Sequence, residues 1–139
     1  GLGDCYHPVV DGEGTVYFCE KNGYLYAVDK NGAEKWSDKT DKGYIYSGFA
    51  LAADGKAYIA QYASPNNLLA FDNAGAKTVV KVIGDQIMSP VTIGPDRRLY
   101  YGRKNDMAGM VDAWELGCGP LDEGWPMRGH NAQGNNSLK

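Results

Sequence analysis

The chain has 139 residues, enough for one modest domain, with a net charge of −3, 19 Gly, 10 Tyr and only 3 Phe. No cluster of lysine or arginine marks a nucleic-acid footprint, and no apolar run is long enough for a membrane span. An excess of Gly and Tyr, with many Asn and Asp, points to short strands joined by tight turns.

The first unit covers residues 7–36. HPVV reads as a strand, Asp11-Gly12 as a turn and TVYFCE as a second strand. Asn22-Gly23 turns the chain into a third strand, YLYAV, which ends at Asp29. The Asn31-Gly32 turn leads to AEKWSD, a fourth strand. The second unit, residues 47–77, repeats the plan with Asp54-Gly55, AYIAQY, the long loop QYASPNN and a strand ending at Asp72; KTVVKVI supplies its fourth strand. The third, residues 89–115, has SPVTIG, LYYGR and a strand holding Asp112. A fourth strand is weak there, because Gly117, Gly119 and Pro120 intervene.

Tyr17, Tyr58 and Tyr100 are 41 and 42 residues apart, and Asp29, Asp72 and Asp112 are 43 and 40 apart. Four short antiparallel strands per repeat of about 40 residues is the signature of a propeller blade. The expected fold is all-β, a partial β-propeller of about three four-stranded antiparallel blades. One domain spans 1–139, with blades at about 5–40, 45–82 and 86–125 and a polar C-terminal segment at 126–139. The even spacing favours this over a sandwich.

The pattern Ala27, Asp29, Gly32, Trp36 resembles the tryptophan-docking signature of the pyrroloquinoline-quinone-like propeller repeat. Ser89, Pro90, Val91, Gly94 and Asp96 are similar to that family's blade opening, and GWPMRGHNAQG (124–134) is similar to its closing stretch. The resemblance implies that the Trp of one blade packs on its neighbour. It further implies a bacterial protein of the periplasm or cell surface. Within the family, a non-catalytic scaffold for protein–protein interaction fits best. A carbohydrate-binding surface module and a fragment of a quinone-dependent dehydrogenase are the alternatives. The second unit has Val79 where Trp is expected, and the third loses the Gly.

A closed propeller needs about four to eight blades. Three would leave two apolar sides open, so self-association or the remainder of a longer propeller is expected.

Catalytic and metal patterns are weak. In DKNG, Asp29 and Asn31 alternate, but Gly32 follows at once and no Glu closes a calcium loop. A hairpin turn in which Asp29 caps backbone N–H groups is expected instead. Cys5, Cys19 and Cys118 are nowhere adjacent, unlike the paired cysteines of many quinone enzymes. One disulfide with one thiol, or three buried thiols, both fit. His7 and His130 show no zinc spacing. No catalytic residue, metal or cofactor is therefore expected. The best candidate binding face gathers the loops between second and third strands with the links between units. It comprises Tyr44, Tyr46, Gln61, Tyr62, Asn66, Asn67, Arg103, Lys104 and Asn105. Tyr, Asn, Gln and Arg suit a wet contact with a protein or glycan.

Overall fold

The computed structural model describes residues 5–39, 45, 47–62, 66–87, 89–124 and 126–127, with Cys5 and Tyr6 described as backbone alone. Among them every regular element is a strand, in three antiparallel sheets of four strands each. Sheet one holds β1 (Cys5–Val10), β2 (Val16–Glu20), β3 (Tyr24–Val28) and β4 (Glu34–Lys39) in chain order. Sheet two holds β5 (Ala50–Leu51), β6 (Ala57–Gln61), β7 (Asn66–Phe71) and β8 (Lys77–Ile83), again in chain order. Sheet three is narrower. Its β9 (Gln86–Ile87) and β10 (Thr92–Ile93) both pair with β11 (Arg98–Lys104), whose other edge pairs with β12 (Gly109–Glu115). No strand flanks the outer edge of β12 among the described residues.

The periodic tyrosines have a physical cause. Each inner hairpin turn carries an aspartate whose two oxygens do different jobs. Asp11 Oδ1 accepts the N–H groups of Glu13 and Thr15 at 3.0 and 2.8 Å, and its Oδ2 accepts the Tyr17 hydroxyl at 3.1 Å. Asp54 repeats this with Lys56 N–H at 2.9 Å and the Tyr58 hydroxyl at 2.9 Å. Asp96 does so with Arg98 N–H and Tyr100. Burial and the adjacent carboxylate raise the tyrosine pKa at Tyr17 and Tyr58. Replacing Tyr58 by Phe leaves the packing and removes one hydrogen bond. The expected cost is about 1 kcal/mol, read as a lower midpoint in urea with an unchanged slope.

A serine performs a second repeated task. Ser47 Oγ donates to the Ala60 carbonyl at 3.0 Å and accepts its N–H at 3.3 Å. In the gap between β9 and β10, Ser89 Oγ accepts the Gly102 N–H at 2.7 Å. The hydroxyl supplies ladder bonds where the first strand of the unit is short or interrupted.

Sheet two is covered on both faces, and all five residues of β6 are buried. Ala57, Ile59, Leu69 and Phe71 share one core with Tyr17, Cys19, Leu25, Ala27 and Trp36 of sheet one. Tyr58, Ala60, Leu68 and Ala70 share another with Ile87, Ile93, Leu99 and Tyr101 of sheet three. A strand covered on both sides must be apolar at every position, and AYIAQ departs from that only at its end. Trp36 lies against sheet two, its ring stacked on Phe71 with centroids 5.1 Å apart and planes 10° apart.

Strand pairing shifts the expected repeat register. Tyr17 faces Ala27, Tyr58 faces Ala70 and Tyr100 faces Ala113. These alanines are 43 and 43 residues apart, so Glu115, not Asp112, matches Asp29 and Asp72. Trp114 then matches Phe71. A bulge differs as well: it precedes Trp36 in β4 but follows Val79 in β8. Val79 is consequently turned away and 51% exposed, while Val80 packs on the core. In the second seam the large ring comes from the opposite side, as Trp114, with the Lys81 ammonium 5.1 Å from the ring centre.

The segment after β12 does not extend sheet three. Arg97, at a positive φ of 66°, accepts the Leu116 and Gly117 N–H groups on its carbonyl. The chain then runs back along β5. Ala53 N–H donates to Gly119 O at 2.9 Å, Leu121 N–H to Leu51 O at 3.0 Å, and Leu51 N–H to Pro126 O at 2.7 Å. Pro126 and Met127, expected in a polar tail, are buried. Gly124 sits so close to sheet one that an added Cβ would fall 2.2 Å from the Val10 carbonyl oxygen.

Candidate functional site

DKNG is a turn. Asp29 Oδ1 accepts the Asn31 and Ala33 N–H groups at 2.8 and 2.9 Å, and Asp72 does the same for Ala74 and Ala76 at 2.9 Å each. That oxygen is committed to backbone. Ala27 and Trp36 lie in the core shared with sheet two. Among the described residues, no three His, Cys, Asp or Glu side chains converge on a metal position. The Cys19 thiol is buried against the Ser47 carbonyl at 3.2 Å, and Cys118 is a half-buried free thiol.

The expected binding face divides. Tyr44 and Tyr46 lie outside the described residues. Gln61 and Asn66 are buried, which removes them from a surface contact. Asn105 Oδ1 accepts the Met107 and Ala108 N–H groups at 2.9 and 3.0 Å, so it shapes its own loop. Arg103 is a tie rather than a probe. It is held between Asp85 and Asp112, with Nε to Asp112 Oδ2 at 2.6 Å. The position it occupies matches Gln61, 42 residues earlier, so it anchors the link between sheets two and three to β11 and β12. Tyr62, Asn67 and Lys104 remain at least partly open.

The Arg103 guanidinium holds the Asp112 carboxyl below its usual pKa, and burial beside Asp112 pushes Tyr101 up to about 12. The depressed Asp112 pKa means that its contribution is present above the unfolded value of about 3.9 and is lost as pH falls through the folded one. Thermal melts of the native chain and of Asp112→Asn should therefore differ at neutral pH and converge in acid. A gap that stays constant down to the acid limit would count against the ion pair.

The sequence did not signal a cleft at the opposite strand ends. A cleft of about 310 Å³ opens between the inner turns of sheets one and two. Tyr17, Leu51 and Leu121 line it, together with Glu13, Glu123 and Lys56. Lys35 Nζ bridges Thr15 Oγ1 and Asn73 Oδ1 at 3.2 and 3.0 Å, joining the two sheets beside it. Glu123 lies directly over Gly12, where a Cβ would come within 2.8 Å of the Glu123 Cβ. The cleft is created by the returning segment, a tertiary contact that local sequence patterns do not report.

No family model matches the chain, and no curated protein matches it. Among solved structures, it is similar to a protein of unknown function from Bacteroides caccae, at 15% identity and a TM-score of 0.49. That likeness covers 81% of this chain and 46% of the other, so the chain spans less than half of that structure's length.

Proposed function

We propose that the chain is a non-catalytic scaffold or binding module, built as three blades of a β-propeller of the quinoprotein-like class. Its role is protein–protein interaction at the bacterial envelope. The observation that carries the reading is the doubled seam. Two sheet-to-sheet cores are built on the same Tyr–Ala pair, each with one tryptophan, and polar side chains tie down the connecting loops. Such a body is stiff and presents loops at its strand ends, which suits recognition. The groups best placed for chemistry, Asp29, Asp72, Arg103 and Asp112, already hold backbone or each other.

A thermal-shift screen with calcium, pyrroloquinoline quinone and a glycan panel tests the proposal. At a hundredfold excess over Kd, a ligand specific to the folded state adds about 2.7 kcal/mol, a shift easily read. No shift is expected. A saturable rise with the quinone would overturn the scaffold in favour of an oxidoreductase fragment. A rise with one glycan that Tyr62→Ala abolishes would make the module a carbohydrate binder.

A further inference from the structure

Each sheet has a forward face, toward the sheet that follows it in the chain, and a backward face. The forward faces of sheets one and two carry Tyr17 with Ala27 and Tyr58 with Ala70, none more than 4% exposed under the next sheet. Sheet three carries the same pair in the same register, Tyr100 with Ala113, and it is uncovered. Beside it Val111 is 76% exposed.

The backward faces repeat too. In sheet two Ala57 pairs with Phe71, and in sheet three Leu99 pairs with Trp114; both pairs pack against the preceding sheet. The matching pair in sheet one is Val16 with Val28, followed by Phe18 with Tyr26. These side chains are largely apolar, only half-buried, and belong to neither of the two cores.

We propose that these two faces form one interface, closed by a second copy of this chain docking head to tail. The uncovered forward face of sheet three meets the uncovered backward face of the partner's sheet one. The contact reproduces the two seams already inside the chain, and this repetition identifies the occupant. Among the described residues no strand lies beyond β12 to deliver a ring across the seam. In the second seam the ring already comes from the following sheet, as Trp114. In the proposed seam Phe18, Tyr26 and Tyr24 supply it, stacked at 5.0 and 6.2 Å. A heterologous contact of this kind makes a ring if its rotation closes and a filament if it does not. Two copies give six sheets, inside the range of about four to eight over which such rings close. The inference rests on the propeller reading of the fold and not on the scaffold role, so dimer formation and that role can fail separately.

Light scattering on the full chain across the micromolar range is the test, with circular dichroism melts to show that each variant folds. The expected mass is twice the 15.1 kDa of one chain. Phe18→Asp and Val111→Asp are each expected to give monomers, because each blocks both seams of the ring. Mixing the two variants should restore a dimer, since one pairing of unaltered faces survives. A monomeric native chain overturns the proposal. So does a dimer that Val111→Asp leaves intact, which would mean that two copies of sheet one pair face to face. A mass that grows without limit overturns ring closure.

Discussion

Trp36→Ala is expected to remove about 3–5 kcal/mol of stability, a large share of the 5–15 kcal/mol that holds a typical domain. The ring is 8% exposed and stacks on Phe71 at 5.1 Å. It also meets Phe49 at 6.5 Å and Tyr17 at 6.1 Å, so deletion opens a void among aromatic side chains that cannot collapse together. For a chain of this size a melting point lower by roughly 10 °C or more follows, measurable by calorimetry. Trp36→Phe keeps a ring over Phe71 and should cost clearly less. If Trp36→Ala melted within a degree or two of the native chain, Trp36 would not be what joins sheets one and two.

The second large effect is expected at Gly75. Its φ is +87°, and an added Cβ would lie 2.7 Å from Trp36 Cγ and 2.8 Å from Trp36 Cβ. Gly32 holds the matching turn position in sheet one, at φ +85°, with nothing within 4 Å. The two glycines thus share a backbone cost and differ in sterics. Gly32→Ala should cost about 1–2 kcal/mol, the penalty of a left-handed residue. Gly75→Ala should add a further 1–3 kcal/mol or so of overpacking. In a Trp36→Ala background the contact with Cγ is gone while that with Cβ remains, so Gly75→Ala should then cost less than it does in the native chain, though still more than Gly32→Ala. A double-mutant cycle measures this coupling. Additive costs would show that the ring does not rest on the glycine.

Strand content and the tight turns were legible in the sequence because both are local. Asp-Gly and Asn-Gly pairs mark hairpins by their own backbone preferences, and the tyrosine spacing reported the repeat correctly. The aspartate spacing misled. Asp112 looked like Asp29 and Asp72 because all three end or interrupt an apolar run. Pairing of Tyr100 with Ala113 places Glu115 there instead, and Asp112 serves Arg103. Val80 was not legible for a related reason, since a bulge moved by a few residues decides which of Val79 and Val80 faces the core. The candidate face was drawn from residue type and loop position alone. Burial of Gln61 and Asn66, and the engagement of Arg103, depend on neighbours far along the chain.

Arrays of repeated units usually couple only to their nearest neighbours, so they can open from an end, one unit at a time. The segment after Gly117 changes that. It bonds to Leu51 and Ala53 and presses Gly124 against Val10, so the last part of the chain holds the first two units. Fraying of the first hairpin then requires release of residues more than a hundred positions away. Hydrogen exchange should accordingly find the amide of Leu51, whose acceptor is Pro126, among the slowest in the molecule. The same closure is a long-range contact that forms late, which slows folding relative to a plain array and converts three separable units into one all-or-none transition.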